Sequence, residues 1–300
     1  LLRAQKRLKF EEFFFLQLHL LKLKLIRKKK FRGYSLKNLS NRFNDFYKKY
    51  LPFKLTEAQK RVLREIRNDV KSDQQMNRLL QGDVGSGKTI VAFMSALIAI
   101  GNGFQVCIMT PTEILSYQHY NKFNEICKLL DINIKIISGS SKASIKKEII
   151  NDLKDGKIDL IIGTHALIYD GVQFNNLGLA IIDEQHKFGV AQRSKLWLKN
   201  KFPPHVLIMT ATPIPRTLAM SVYGDLDMSI IDELPPGRKY IETFHQTDRD
   251  RLKLIRFIKN QIHKGKQAYI VYPLIKESEK LDFKDLLDGY ESFSRDFPMP

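Results

Sequence analysis

Residues 82–89, Gly82-Asp83-Val84-Gly85-Ser86-Gly87-Lys88-Thr89, constrain this 300-residue chain more than any other stretch. They fit the pattern G-x-x-x-x-G-K-[ST] without mismatch. An apolar run at 78–80 precedes them and reads as a short buried strand. Residues 90–100, IVAFMSALIAI, follow and read as a buried helix ended by Gly101 and Gly103. Strand, glycine-rich loop and helix make an anion cradle. Gly82, Gly85 and Gly87 let the backbone curl so that several N–H groups converge, and the helix N-terminus adds its positive dipole end. A nucleotide phosphate fits such a cradle. Asp83, Val84 and Ser86 complete the loop, Lys88 is placed to reach the β- and γ-phosphates, and the Thr89 hydroxyl to hold Mg²⁺. The bland alternative is a glycine turn before a core helix, and the flanking elements argue against it.

The rest of the chain shows what surrounds this loop. Strand-like runs recur at 105–109, 134–137, 160–162, 179–182 and 206–209. Helical stretches lie near 114–130 and 144–153, and Thr56 is placed to cap a helix through about Val70. Short β-branched runs alternating with helices predict an α/β fold, a parallel sheet covered by helices on both faces, with active residues at the carboxyl ends of the strands. Residues 1–50 read as a helical segment packing on the body of the protein, with Lys28-Lys29-Lys30 marking the end of its main helix. Residues 51–237 read as the nucleotide-binding domain. Beyond Pro235-Pro236-Gly237, residues 238–300 read as the incomplete start of a second α/β domain, with strands at 240–244 and 267–271 and a helix near 249–263.

A second constellation gives the loop a chemistry. The apolar run at 179–182 ends in Asp183 and Glu184. Asp183 is placed to hold Mg²⁺, and Glu184 to activate a water for in-line attack on the γ-phosphate. Gln185 and His186 follow immediately. The segment Thr210-Ala211-Thr212-Pro213-Ile214-Pro215-Arg216-Thr217 follows the next strand, and its hydroxyls can report nucleotide state to a moving element. Pro111-Thr112-Glu113, Ser138-Gly139-Ser140 and Gly163-Thr164-His165 each follow a strand as well. Together they would line one sheet edge with hydroxyls and backbone N–H groups suited to nucleic-acid phosphates. Phe53 and Gln59, flanking Thr56, are candidates to stack on and hydrogen-bond an adenine.

Composition agrees. A formal charge of +18 and a pI near 9.7 point to a polyanion, although a chain rich in Lys, Ile and Asn throughout can reflect a genome-wide bias. The two cysteines, Cys107 and Cys127, make no metal spacing and read as core residues of a reducing, cytoplasmic compartment. The apolar run at 13–26 is interrupted by Gln17, His19, Lys22 and Lys24 and falls short of a membrane span.

These motifs carry a resemblance. The series Leu55-Thr56-x-Ala58-Gln59, GDVGSGKT at 82–89, PTEIL at 111–115, GTHAL at 163–167, IIDEQHKFGVAQR at 181–193 and TATPIPRT at 210–217 resembles that of superfamily 2 helicases. Within them the chain is similar to the RecG family of bacterial branched-DNA helicases, on GDVGSGKT, DEQHKFGVAQR, YGDLDMSIIDELPPGR at 223–238 and PLIKESEKLD at 273–282. Even the opening, KRLKFEEFFFLQL, resembles the helix that precedes the helicase domains in that family. The resemblance implies a RecA-like fold, ATP with Mg²⁺, translocation on double-stranded DNA by a monomer, and remodelling of forks and Holliday junctions in recombination and repair. It assigns Lys88, Asp183 and Glu184 to hydrolysis, Gln59 to adenine, and Gln185, His186, Thr210, Thr212 and Arg216 to coupling. Pro111, Thr112, Gly139, Thr164 and His165 are the DNA-contact candidates. The family's N-terminal wedge domain has no counterpart in these residues, and the chain reaches Met299-Pro300 before the motif bearing the arginine that completes the ATP site. Loss of such an arginine costs roughly 10³–10⁵ in rate. The expectation is therefore a fragment that binds ATP but hydrolyses it poorly and does not unwind DNA. A coupling-factor-like translocase, sharing GTHxL and TATPIPRT, and a non-catalytic nucleotide- or DNA-binding module stay open. The DEQH and TATP elements argue against a kinase or GTPase.

Overall fold

The computed structural model describes residues 2–30, 32–139, 141–168, 171–183, 202–212, 226–234, 241–272 and 286–297. Two compact units divide the chain, Leu1–Arg238 and Lys239–Pro300.

The first unit is built on a parallel sheet of seven strands among the described residues: β1 (Asn77–Gly82), β2 (Gln105–Met109), β3 (Ile134–Ile137), β4 (Leu160–Gly163), β5 (Leu177–Asp183), β6 (His205–Thr210) and β7 (Asp227–Ile231). Their order across the sheet is β3-β4-β2-β5-β6-β1-β7, and every neighbouring pair is parallel. All carboxyl ends therefore lie on one edge, as the alternating pattern requires. The first six strands coincide with the expected runs. β7 was not expected: Asp227 and Ser229 break its apolar pattern, and it forms at the sheet's edge by pairing with β1.

Side-chain alternation builds a core on each face. Leu207 and Met209 of β6, Val106 and Ile108 of β2, and Leu179 and Ile181 of β5 enter one core. Val206, Ile208, Cys107, Met109, Ala180 and Ile182 enter the other. Over the first core lie α3 (Glu57–Lys71), α4 (Lys88–Ile100) and α5 (Glu113–Leu129); α6 (Ala143–Lys154) contributes Ile149 and Leu153 to the second. Helix α4 is buried continuously from Ile90 to Ile100, so it reads as apolar on every side. Thr56 caps α3 as expected, in a reciprocal capping box with Gln59. Both cysteines are buried, and burial pushes the Cys127 thiol up to about 12, with Asp159 adding to the shift.

Two polar ties fix the sheet to its surroundings. Arg78, 8% exposed, donates from Nε to Asp69 Oδ2 at 2.8 Å and from Nη1 to Glu65 and Ser229 at 3.2 and 2.8 Å, joining β1 to α3 and β7. The buried His205 accepts from the Met76 N–H at Nδ1 (2.9 Å) and donates from Nε2 to the Tyr34 carbonyl (2.6 Å). Burial pushes its pKa down to about 4, against the opposing effect of the Tyr34 bond.

Helix α1 (Leu2–Lys30) ends where the basic run predicts, and a short helix, α2 (Asn41–Asp45), capped by Ser40, follows. The expectation that α1 packs on the body needs correction. Leu8, Phe10, Phe13, Phe15 and Leu25 are all more than 60% exposed, while Lys24 pairs with Asp227 at 2.6 Å. Its apolar residues are scattered around the helix rather than gathered in one stripe, so no single orientation buries them. No helix is long and apolar enough to cross a membrane among the described residues.

The second unit contains α7 (Arg251–His263) and α8 (Leu286–Asp296), tied by Arg251 to Ser292 at 2.7 Å and to Asp296 at 3.2 Å. The expected strands at 240–244 and 267–271 do not form among the described residues. Residues 241–247 and 266–272 are irregular, with Tyr269 90% exposed. A strand exists through its ladder partners, and an apolar run without a neighbour does not become one.

Candidate functional site

The loop at 82–89 bridges β1 and α4, as its spacing requires. Gly85 (φ 80°) and Gly87 (φ 93°) hold left-handed conformations that other residues adopt at a cost. Gly82 serves a different purpose: it ends β1, and a Cβ there would lie 2.5 Å from Ser86 Oγ. Lys88 Nζ donates to the carbonyls of Gly82 (2.7 Å) and Asp83 (3.0 Å), which places the ammonium over the loop. Thr89 follows in the first turn of α4, half-buried. Asp83 accepts from the Val84 N–H at 2.7 Å, and both residues are exposed at the loop's outer side. Two observations fit this loop to a phosphate. A Cβ at 82 or 87 would crowd Ser86 Oγ or Gln59 Nε2, so glycine keeps the backbone approachable there, and the Ser86 hydroxyl is buried within the turn without a partner among the described residues.

Gln59 has a structural task beside the one expected of it. It is 1% exposed; its Oε1 accepts from the Thr56 N–H at 3.0 Å and its Nε2 donates to the Ser86 carbonyl at 2.8 Å. It thus ties the start of α3 to the loop backbone. Ala58 N–H donates to Glu233 Oε2 at 3.1 Å, and Arg61 bonds Asp232 at 2.7 Å, holding that carboxyl below its usual range. Phe53 is 44% exposed nearby in sequence and is not a core residue.

Asp183 ends β5 with its side chain only 14% exposed. Register relates it to the loop: Asp183 pairs with Met209 on β6, and Thr210 of β6 pairs with Gln81 on β1. Asp183 and the loop are thus two strand spacings apart, about 10 Å, with Thr210 between them. Thr210 is buried and accepts from the Thr212 N–H at 3.2 Å; Thr212 itself is exposed. By alternation Asp183 points to the face covered by α4 and α5. There it meets a residue that belongs to none of the motifs above. His119 of α5, 8% exposed, bonds Asp183 Oδ2 through Nε2 at 2.9 Å. The signal was present in the sequence: Ser116, His119, Phe123 and Cys127 form the buried stripe of α5. Glu184, Gln185, His186 and Arg216 lie outside the described residues.

The other half of the edge, at the ends of β3, β4 and β2, carries a cavity of about 560 Å³. Pro111, Thr112, Gly139 and Thr164, four of the five residues expected to meet nucleic acid, line it together. The fifth, His165, begins a short 3₁₀ turn, His165–Ile168, directly after Thr164. Glu113, from the same expected segment as Thr112, lines it too, and so does Lys146, which the sequence reading did not single out; Lys146 Nζ donates to the Gly139 carbonyl at 2.7 Å. Thr112 caps α5, and Ser116 Oγ lies 2.6 Å from Thr110 Oγ1, which pins the first turn of α5 to the end of β2. No cluster of metal-ligating side chains is found among the described residues.

Comparison with known proteins gives this arrangement a family. The model of the DEAD/DEAH box helicases matches residues 56–221. The ATP-dependent DNA helicase RecG of Aquifex aeolicus is 49% identical over 294 residues, covering 98% of this chain and 37% of that protein. RecG of Thermotoga maritima is 47% identical over 298 residues, covering 99% and 38%. The solved structure of RecG bound to a three-way DNA junction superposes with a TM-score of 0.82 at 42% identity, over 98% of this chain and 38% of that one. The chain thus spans less than two fifths of the length of these relatives, and its fold is the RecA-like helicase fold. Helicases of this family use ATP. With the glycine-rich loop, the acidic strand end and the threonine between them on one edge, the chain belongs to the DEAD/DEAH box helicase family, and its likeness within that family is to RecG.

Proposed function

We propose that this chain carries the ATP-binding motor of a RecG-type DNA helicase acting on branched or forked duplex DNA. The observation that carries the reading is the shared edge. The phosphate loop, Thr210 and Asp183 occupy the ends of three adjacent strands, and the nucleic-acid candidates occupy the ends of the next three. In this reading residues 51–237 are the motor domain, 1–50 a helical connection, and 238–300 the beginning of a second α/β domain.

The loop amides and Lys88 would bind the phosphates, Thr89 and Asp183 would hold Mg²⁺, and Glu184 would orient the attacking water. Mg²⁺, when bound, neutralises charge on the transferred phosphoryl group. Gln59 and Phe53 flank the adenine. Gln185, His186, Thr210, Thr212 and Arg216 relay the site's state, and the cavity around Thr112, Gly139 and Thr164 takes the DNA backbone, joined by Pro111 and His165. The charge of +18 favours that contact and makes it salt-dependent. The RecG relatives are ATP-dependent DNA helicases, and one of them is seen bound to a three-way DNA junction, which supports the substrate class. The test is ATP turnover and nucleotide affinity, with and without forked DNA, for the chain and its Lys88→Ala variant. The variant is expected to lose both. Equal behaviour of the two proteins would sink the assignment.

A further inference from the structure

The bond between His119 and Asp183 crosses the seam between the two halves of the sheet edge. Asp183 belongs to the nucleotide half. His119 rides on α5, whose first residues, Thr112 and Glu113, line the cavity of the other half. Seven residues separate Thr112 from His119, two helical turns or about 10 Å. The helix is locked at both ends of that span. Ser116 Oγ meets Thr110 Oγ1 at 2.6 Å at the cavity side. At the other, the His119 ring stacks on Phe123 with centroids 6.0 Å apart and planes within 21°. Phe123 in turn stacks on Phe93 at 4.5 Å and 13°. Phe93 lies on α4, the helix that begins with Lys88. The imidazole is thus braced by aromatic faces and aimed at a carboxylate oxygen from a helix whose first turn lines the cavity of the other half.

We propose that His119 is a positioning residue, through which α5 holds the Asp183 carboxylate for Mg²⁺ and transmits DNA occupancy of the cavity to it. Nε2 donates to Oδ2 and fixes the carboxylate's rotation, so that its orientation follows the seat of α5. A partner that shifts the first turn of α5 then moves His119 as part of the same rigid helix. Hydrogen bonds to metal-binding side chains from such outer partners commonly alter metal affinity by roughly 10-fold to 100-fold. This rests on the nucleotide-site reading above.

The experiment measures the affinity of the 300-residue chain for a fluorescent ATP analogue, across a Mg²⁺ titration, with and without a forked DNA oligonucleotide. Three variants are compared. His119→Leu removes the donor and keeps most of the volume, His119→Gln returns an N–H near the Nε2 position, and Lys88→Ala disables the loop. Circular dichroism and thermal melting establish that each is folded. His119→Leu is expected to need at least about tenfold more Mg²⁺ for the same nucleotide affinity, to match the parent without Mg²⁺, and to lose the oligonucleotide's effect. His119→Gln is expected to recover much of both. The proposal is overturned if His119→Leu keeps the parent's Mg²⁺ dependence, if it weakens nucleotide equally without Mg²⁺, or if the oligonucleotide's effect survives. A Lys88→Ala variant that binds nucleotide like the parent would instead refute the site reading beneath it.

Discussion

Replacing Gly87 by alanine tests how the phosphate loop is held. Two costs can be worked from the structure. The backbone sits at φ 93°, where a non-glycine residue is strained by roughly 1–2 kcal/mol. The new Cβ would also overlap Gln59 Nε2, so the amide must swing away. That breaks its 2.8 Å bond to the Ser86 carbonyl in a place where Gln59 is 1% exposed. An unsatisfied buried group costs about 1–3 kcal/mol. If the loop keeps its shape, Gly87→Ala therefore loses roughly 2–5 kcal/mol of stability; if it relaxes, the strain is relieved and nucleotide affinity falls instead. A double-mutant cycle separates the two costs. Gln59→Ala alone already removes the bond and the overlap, so Gly87→Ala in that background should cost only the backbone strain. Urea denaturation and nucleotide binding, measured on all four proteins, are expected to show a non-additivity of about 1–3 kcal/mol. Additive effects within about 0.5 kcal/mol would refute the claim that Gln59 props the loop at Gly87.

Two further outcomes follow from the buried polar ties. His205 has a folded pKa of about 4 against about 6.5 unfolded, so the unfolded state takes the proton first. Its contribution is complete above about pH 6.5 and falls as pH drops towards 4, by roughly 3 kcal/mol; a His205→Asn variant is expected to show a correspondingly flatter decline in urea midpoint over that window. Arg78→Met leaves Glu65 and Asp69 without their cation, but those carboxylates are 36% and 27% exposed and can rehydrate. The loss should therefore sit near the lower end of the 3–5 kcal/mol typical of a broken buried pair, and a loss under about 1 kcal/mol in chemical denaturation would contradict the assigned network.

Much of the fold was legible because its signals are local. Thr56 announces a helix start through the hydrogen bond its own side chain accepts a turn later, whereas the cap at Thr112 emerged only in the structure. Alternating apolar residues on β2, β5 and β6 announce two cores because successive side chains must point to opposite faces. β7 escaped notice because Ser229, which a local pattern counts as polar, is buried against Arg78 from another strand. Helix α1 was legible as a helix but not in its packing, since its apolar residues carry no direction. His119 escaped for the opposite reason: a histidine on an apolar stripe is ordinary, and its partner lies 64 residues away.

By itself, then, the amino-acid order determined the glycine-rich loop, the cap at Thr56, the parallel α/β pattern and the acidic strand end at Asp183. Each depends on residues within a few positions of one another, where sterics and hydrogen-bond reach leave little choice. Tertiary structure decided which strands stand side by side. The order β3-β4-β2-β5-β6-β1-β7 sets Thr210 between Asp183 and the loop. It also brings His119 to Asp183, and the cap of α3 is completed by Glu233 across 175 residues. No local preference encodes such pairings, because they arise when the two faces of one sheet are buried together.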